Sequence, residues 1–208
     1  MNRLLRITFL NIVLIASVLC YSISVRAQIA GYQNTAVDIG AGFEGVVHAV
    51  AFQSDGKILV GGSLTSYRGM QCGNLVRLNT DGTLDDSFSF PAKIGGEPTS
   101  QAFYGAINSI LVESDDKILL VGSIRYDWVP DTDTELFVGI TRLNADGSLD
   151  ESYLNGSSTT GMGKGANMPV YAIISDGEGG SILGGSFTLM DGSLDHLRIS
   201  KLDGNGQV

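Results

Sequence analysis

The sequence predicts an all-β protein: about three propeller-type blades of mostly four antiparallel strands, forming an incomplete, open β-propeller. Three observations predict it. First, one phrase is said three times, as Ser54-Asp55-Gly56-Lys57-Ile58-Leu59-Val60-Gly61-Gly62-Ser63, as Ser114-Asp115-Asp116-Lys117-Ile118-Leu119-Leu120-Val121-Gly122-Ser123, and, worn down, as Ser181-Ile182-Leu183-Gly184-Gly185-Ser186. Its last glycine recurs at spacings of 60 and 63 residues. Second, Arg77-Leu78-Asn79-Thr80-Asp81-Gly82-Thr83-Leu84-Asp85 returns as Arg142-Leu143-Asn144-Ala145-Asp146-Gly147-Ser148-Leu149-Asp150, and weakly from Lys201 to Val208, at spacings of 65 and 59. Two phrases that keep order and period define a repeat, each unit of which buries its apolar face against its neighbours. Third, nothing beyond residue 27 carries the 3.6-residue apolar stripe of a helix.

The first 27 residues stand apart from the fold. Arg3 and Arg6 precede an apolar run from Ile7 to about Leu19, and Val25-Arg26-Ala27 places small residues where a leader is cut. That layout predicts a secretory signal peptide cleaved after Ala27. The run is short for a membrane-spanning helix and is interrupted by Thr8 and Asn11. The expectation is export, to the cell envelope or the medium, without membrane insertion after cleavage.

Residues 28–44 form a polar, Gly-rich lead-in, and the repeat region spans 45–208 as units 45–104, 105–167 and 168–208. In the first unit, Val46 to Phe52 is a β-branched apolar run that Ser54-Asp55-Gly56 breaks before Lys57 to Val60 resumes it. Two apolar runs across Asp-Gly predict a hairpin. Leu75 to Leu78 then runs into the turn Asn79 to Gly82, followed by a short fourth strand at Leu84, with Phe88 closing the unit. Positive φ at the turn is what glycine permits without a Cβ clash.

The second unit opens on Ile107 to Val112 and closes on Tyr153, the counterpart of Phe88. From Gly122 to Arg142 is 20 residues, against 15 from Gly62 to Arg77, so the stretch Arg125 to Glu135 is an inserted loop. The third unit starts at Val170 to Ile174 and reaches Val208, which aligns with Leu84. Closed propellers hold roughly four to eight blades. About three blades leave open sheet edges, so the sequence predicts either a piece of a longer protein or self-association through the open blade edges.

Without its leader the chain keeps 10 basic and 22 acidic residues, a net charge of −12. Nucleic acid and anionic membranes both ask for a cationic footprint, and neither is expected as a partner. Cys72 then stands alone, which excludes an internal disulfide, and no His or acidic partner lies at a telling spacing to make it a nucleophile.

The phrases "SDGKILVGGS", "RLNTDGTLDDSF" and "RLNADGSLDESY" resemble the delta-60 repeat, a β-propeller-like repeat of exported bacterial proteins. The resemblance covers about Gly45 to Val208. It is specific in the first two units and weaker in the third, where Lys201 replaces the arginine. It implies a fold and a secreted or cell-surface setting, not an activity.

The candidate sites are few. Asn79 to Gly82 and Asn144 to Gly147 imitate part of a calcium loop, but Arg77 and Phe88, or Arg142 and Tyr153, stand where its two key carboxylates belong, so the reading is a hairpin turn. Asp131, Asp133 and Glu135 alternate in the inserted loop as a solvated acidic stretch or a hard-cation site. Tyr126 and Trp128, with Asp131 and Asp133, form the candidate partner-binding loop, since aromatics raised on a rigid scaffold anchor proteins or glycans. Arg77 and Arg142 recur at equal positions, which predicts a structural salt bridge to Asp85 and Asp150 or to a neighbouring blade. No glycine pair opens a helix to hold a phosphate. The expected function is a non-catalytic scaffold or binding module without cofactor, metal or catalytic residues. The alternatives are part of a propeller enzyme acting on glycans, or a purely structural array in a larger surface protein.

Overall fold

The computed structural model describes residues 40–90, 103–126, 136–137, 139–153, 165–190 and 197–208. Among them every regular element is a strand, and the strands form three successive antiparallel blades and one further small antiparallel sheet. The first holds β1 (Phe43–Phe52), β2 (Ile58–Tyr67), β3 (Met70–Gln71) and β4 (Leu75–Leu78). The second holds β6 (Ile107–Val112), β7 (Ile118–Gly122) and β10 (Ile140–Leu143), while β5 (Phe103–Tyr104), β8 (Arg125–Tyr126) and β9 (Leu136–Phe137) pair with one another as a separate small sheet. The third holds β11 (Val170–Ser175), β12 (Ser181–Gly185) and β13 (Ile199–Leu202). The all-β, open-propeller expectation therefore holds.

Each blade is a meander whose middle strand carries the first repeated phrase. β2 pairs with β1 on one side and with β4 on the other, Ile58 facing both Phe52 and Leu78. β7 stands likewise between β6 and β10, and β12 between β11 and β13. The Asp-Gly turn closes the first hairpin as the sequence implies. Gln53 N–H donates to Lys57 O at 3.0 Å, Asp55 accepts from Lys57 N–H at 3.0 Å, and Gly56 takes φ 84°.

The anchor glycine has a physical cause. All three first hairpins slip register at one place, past His48, Asn108 and Tyr171, so a bulge stands there in every blade. The bulge drives a carbonyl onto the glycine opposite. A Cβ on Gly62 would lie 2.0 Å from Val46 O, one on Gly122 2.0 Å from Ala106 O, and one on Gly185 2.3 Å from Pro169 O. No other residue fits.

The fourth strand is reduced to single bridges, Leu78 to Leu84 and Leu143 to Leu149. Asp85 ends it. Its backbone N–H returns to Arg77 O at 2.9 Å, while its carboxylate caps the next turn through Ser87 N–H at 3.0 Å. Asp150 and Ser152 do the same in the second blade. The fourth paired piece in the first blade is instead β3, which folds back on the end of β2.

The core is made at the two joints between blades. Leu59 and Leu75 of the first blade meet Ile107, Ile118, Leu120, Ile124 and Leu143 of the second. Leu119, Val121, Ile140 and Tyr153 of the second meet Val170, Ile173, Leu183 and Leu202 of the third. A third cluster, Val60, Leu64, Tyr67, Val76 and Leu78, lies on the other side of the first blade. Each unit thus buries its apolar residues against its neighbour, as a repeat must.

Candidate functional site

Each joint is crossed by one arginine. The Arg77 guanidinium donates through Nε to Asp85 at 2.7 Å and through one terminal nitrogen to the Gln53 side chain at 2.9 Å. The same nitrogen reaches the Ala145 carbonyl of the next blade at 2.5 Å. Its plane lies over the Phe88 ring, 4.6 Å from the centroid. Arg142 repeats the pattern with Asp150 at 2.8 Å, the Gly204 carbonyl of the third blade at 2.6 Å, Glu113 at 3.4 Å and the Tyr153 ring at 4.3 Å. The expected salt bridges to Asp85 and Asp150 are present, and toward the next blade each arginine makes a hydrogen bond to a backbone carbonyl rather than a salt bridge.

These sites are buried and saturated. Lys57 adds a second cation to Asp85 at 3.0 Å, and Lys117 one to Asp150 at 3.1 Å. Burial pushes both carboxyls up, but hydrogen bonds from Ser87 or Ser152 and from the lysines outweigh it and hold them well below the usual carboxylate range. Glu113 goes the other way, pushed up mainly by burial against a weaker pull from Arg142. A carboxylate so held accepts hydrogen bonds and gives up no proton near neutral pH. Through the arginines these ion pairs also tie each blade to the next.

The joints differ at their rims. At the first, the Ser54 backbone N–H donates to the Asp116 carboxylate at 2.8 Å, and the Ser54 hydroxyl donates to its other oxygen. Gln53 adds a bond to the Asp116 carbonyl at 3.2 Å. At the second joint the third copy of the phrase reads Gly177-Glu178-Gly179-Gly180, so Gly179 and Gly180 stand at the positions of Asp116 and Lys117. A cleft of about 560 Å³ lies at this joint. Glu113, Ser114, Lys117 and Arg142 line one wall, and Gly179 and Asn205 the other. Ser114, the counterpart of Ser54, has no hydrogen-bonded carboxylate among the described residues.

Of the candidate partner-binding residues, Tyr126 lies on β8, whose backbone pairs with Phe103 and Leu136. Trp128, Asp131 and Asp133 lie outside the described residues, as does Glu135. The two imitation calcium loops are turns: Asp81 accepts Thr83 N–H at 2.9 Å, and Asp146 accepts Ser148 N–H at 2.9 Å. Among the described residues no three His, Cys, Asp or Glu side chains converge as a metal site. Cys72 is half-buried against the outer cluster of the first blade, and burial pushes its thiol up. The cleft escaped the sequence reading, although its signal was present in the run of glycines that marks the worn third phrase.

A family model described as a β-propeller domain of unknown function (DUF5122) matches residues 53–88 and 113–153. Both matches start on the side chain that the joint arginine bonds, Gln53 or Glu113, and end on the ring it covers, Phe88 or Tyr153. The repeats are therefore of a propeller type, and the matched unit coincides with the arginine network. The chain matches no curated protein sequence significantly.

Proposed function

We propose that this chain is an exported, non-catalytic propeller-type segment acting as a scaffold or binding module at the cell surface or outside the cell, with repeats of the delta-60 kind. One observation carries the non-catalytic reading. The buried charged groups of the described residues, Arg77, Asp85, Arg142 and Asp150, are paired arginine to aspartate within each blade, and each arginine goes on to a carbonyl of the next blade. The leader-like residues 1–27 support export, and among the described residues no helix is long and apolar enough to cross a membrane.

The cleft at the second joint is the binding site in this reading. The first joint illustrates the chemistry its rim accepts, a carboxylate seated on a serine N–H and hydroxyl. The second offers Ser114 in the same place, with the partly exposed Lys117 beside it and Asp115 also on the rim, while Arg142 is already held by Asp150, Glu113 and the Gly204 carbonyl. A glycan or protein ligand presenting a carboxylate suits it, and charge-assisted bonds of this kind are the stronger ones.

The test is a nuclear magnetic resonance titration of the chain with glucuronic acid and, separately, with an acidic peptide. Shifts confined to Ser114, Gly179 and Gly180, and abolished in Ser114→Ala, are expected. Saturation at millimolar ligand without movement of those amides would remove the binding reading and leave a purely structural array. Export is tested apart, by N-terminal sequencing of the secreted product, which should begin at Gln28.

A further inference from the structure

The two joints show what one blade does to the next. At each, the first strand of the later blade enters the face of the earlier one: β6 packs on β1 and β2, and β11 on β6 and β7. The leading side chain is Ile107 at the first joint, 2% exposed, and Val170 at the second, 0% exposed. The receiving face at the second joint is built from Leu119, Val121 and Ile140, with Arg142 reaching over to the Gly204 carbonyl.

Both halves of this joint recur exposed, one on β1 and one on the outer face of the third blade. On β1, the strand that would enter a preceding blade, Val47, Val50 and Phe52 take the positions of Ile107, Ile110 and Val112. They are 41%, 57% and 66% exposed. On the outer face of the third blade, Ile174 and Ile199 take the positions of Leu111 and Ile140, and are 60% and 64% exposed. Lys201 takes the position of Arg142 and, among the described residues, reaches Asp176 and Glu178 of its own blade. Contiguous exposed apolar surface of this kind marks an interaction site.

We propose that the outer face of the third blade is a docking surface for β1 of a second copy of this chain, in a head-to-tail joint of the kind the chain already makes twice internally. The internal joints select this pairing: each sets the first strand of one blade on the strands of the blade before it, and neither lays two outer faces together. The head-to-tail joint offers Lys201 the Thr80 carbonyl, which stands at the position of Ala145 and Gly204, the acceptors of Arg77 and Arg142. Such a contact is heterologous, with different surfaces on the two copies, so it runs on as a filament unless the rotation closes it. Two copies supply about six blades, inside the range of roughly four to eight at which propellers close.

Complementation tests it. The chain is studied by sedimentation velocity over a concentration series, as wild type, as Val50→Asp and as Ile199→Asp. Wild type is expected to associate as concentration rises, each variant alone to stay monomeric, and an equimolar mixture of the two variants to form a 1:1 dimer. The mixture pairs the intact third blade of one variant with the intact β1 of the other, which no symmetric contact would do. Phe52→Lys and Ile174→Lys repeat both blocks at neighbouring exposed positions, and circular dichroism confirms that every variant is folded. Wild type that stays monomeric, single variants that still associate, or a folded mixture that does not dimerise would each overturn the proposal.

Discussion

Asp116 adopts a left-handed backbone, φ 63°, and from there its carboxylate receives the backbone N–H of Ser54 across the first joint. The equivalent residues are glycines, Gly56 at φ 84° and Gly179 at φ 95°. A side chain in this region is disfavoured for an L-residue, though aspartate tolerates it better than most. The second copy of the turn therefore exchanges backbone ease for a tie to its neighbour.

That exchange orders two substitutions. Asp116→Gly relieves the backbone and loses the tie, so the effects oppose and the urea midpoint should move little. Asp116→Ala keeps the strained φ and also loses the tie, so it should be the less stable of the two. An alanine variant at least as stable as the glycine one would show that the left-handed backbone carries no cost at this position.

The anchor glycines give a larger effect. Gly122→Ala places a methyl 2.0 Å from the Ala106 carbonyl, and only separation of β6 from β7 relieves it. A loss of about 3 kcal/mol or more is expected, in the class of severe backbone clashes. Gly177→Ala is the control. It has a positive φ, 79°, but nothing within 4 Å of the added carbon, so about 1 kcal/mol is expected. Urea unfolding of the two variants measures the difference, and equal losses would refute the close-approach account.

The anchor glycines were legible because a close approach of backbone leaves only one permitted residue, and the sequence repeats it. Arg77 and Asp85 were legible as a pair for the same reason, since both recur in step. The bulge past His48, Asn108 and Tyr171 was not, because a bulge sets the backbone and leaves the side chain free to vary. Leu84 promised a strand by pattern, but the hydrogen bonds of Asp85 turned the chain first. The cleft was hidden by its nature. Its lining includes Gly179, which has no carboxylate to set on Ser114 as Asp116 sets one on Ser54, and that difference becomes visible only once the two joints are set side by side.

The arginine network predicts equal sensitivity in two blades. Asp85 and Asp150 each accept from one arginine and one lysine, with side chains 7% exposed. Removing one partner of such a buried pair leaves unmatched cations, at a cost of about 3–5 kcal/mol. Asp85→Ala and Asp150→Ala should therefore destabilise alike in denaturant titrations. A loss below about 1 kcal/mol, typical of exposed pairs, would mean the network is solvated.

The same groups set the response to acid, and the signs differ among them. Asp85 and Asp150 are held below the usual range, and Lys201 pulls Asp176 down to about 2. A carboxyl depressed by folding contributes stability that is fully present above the unfolded value, about 4, and is lost as pH falls through the folded one. Glu113 has the opposite sign: burial raises it, so charging it on going to neutral pH costs stability. The first blade carries Gln53 at that position, hydrogen-bonded to its arginine without a charge to bury. Thermal unfolding from pH 7 to pH 2 should thus show a steep loss below about pH 4, the range in which unfolded aspartates titrate. Glu113→Gln should raise the melting temperature at pH 7 and leave it nearly unchanged at pH 3, where the glutamate is already neutral. A variant that melts lower at pH 7 would mean that the 3.4 Å pairing with Arg142 outweighs the burial of Glu113.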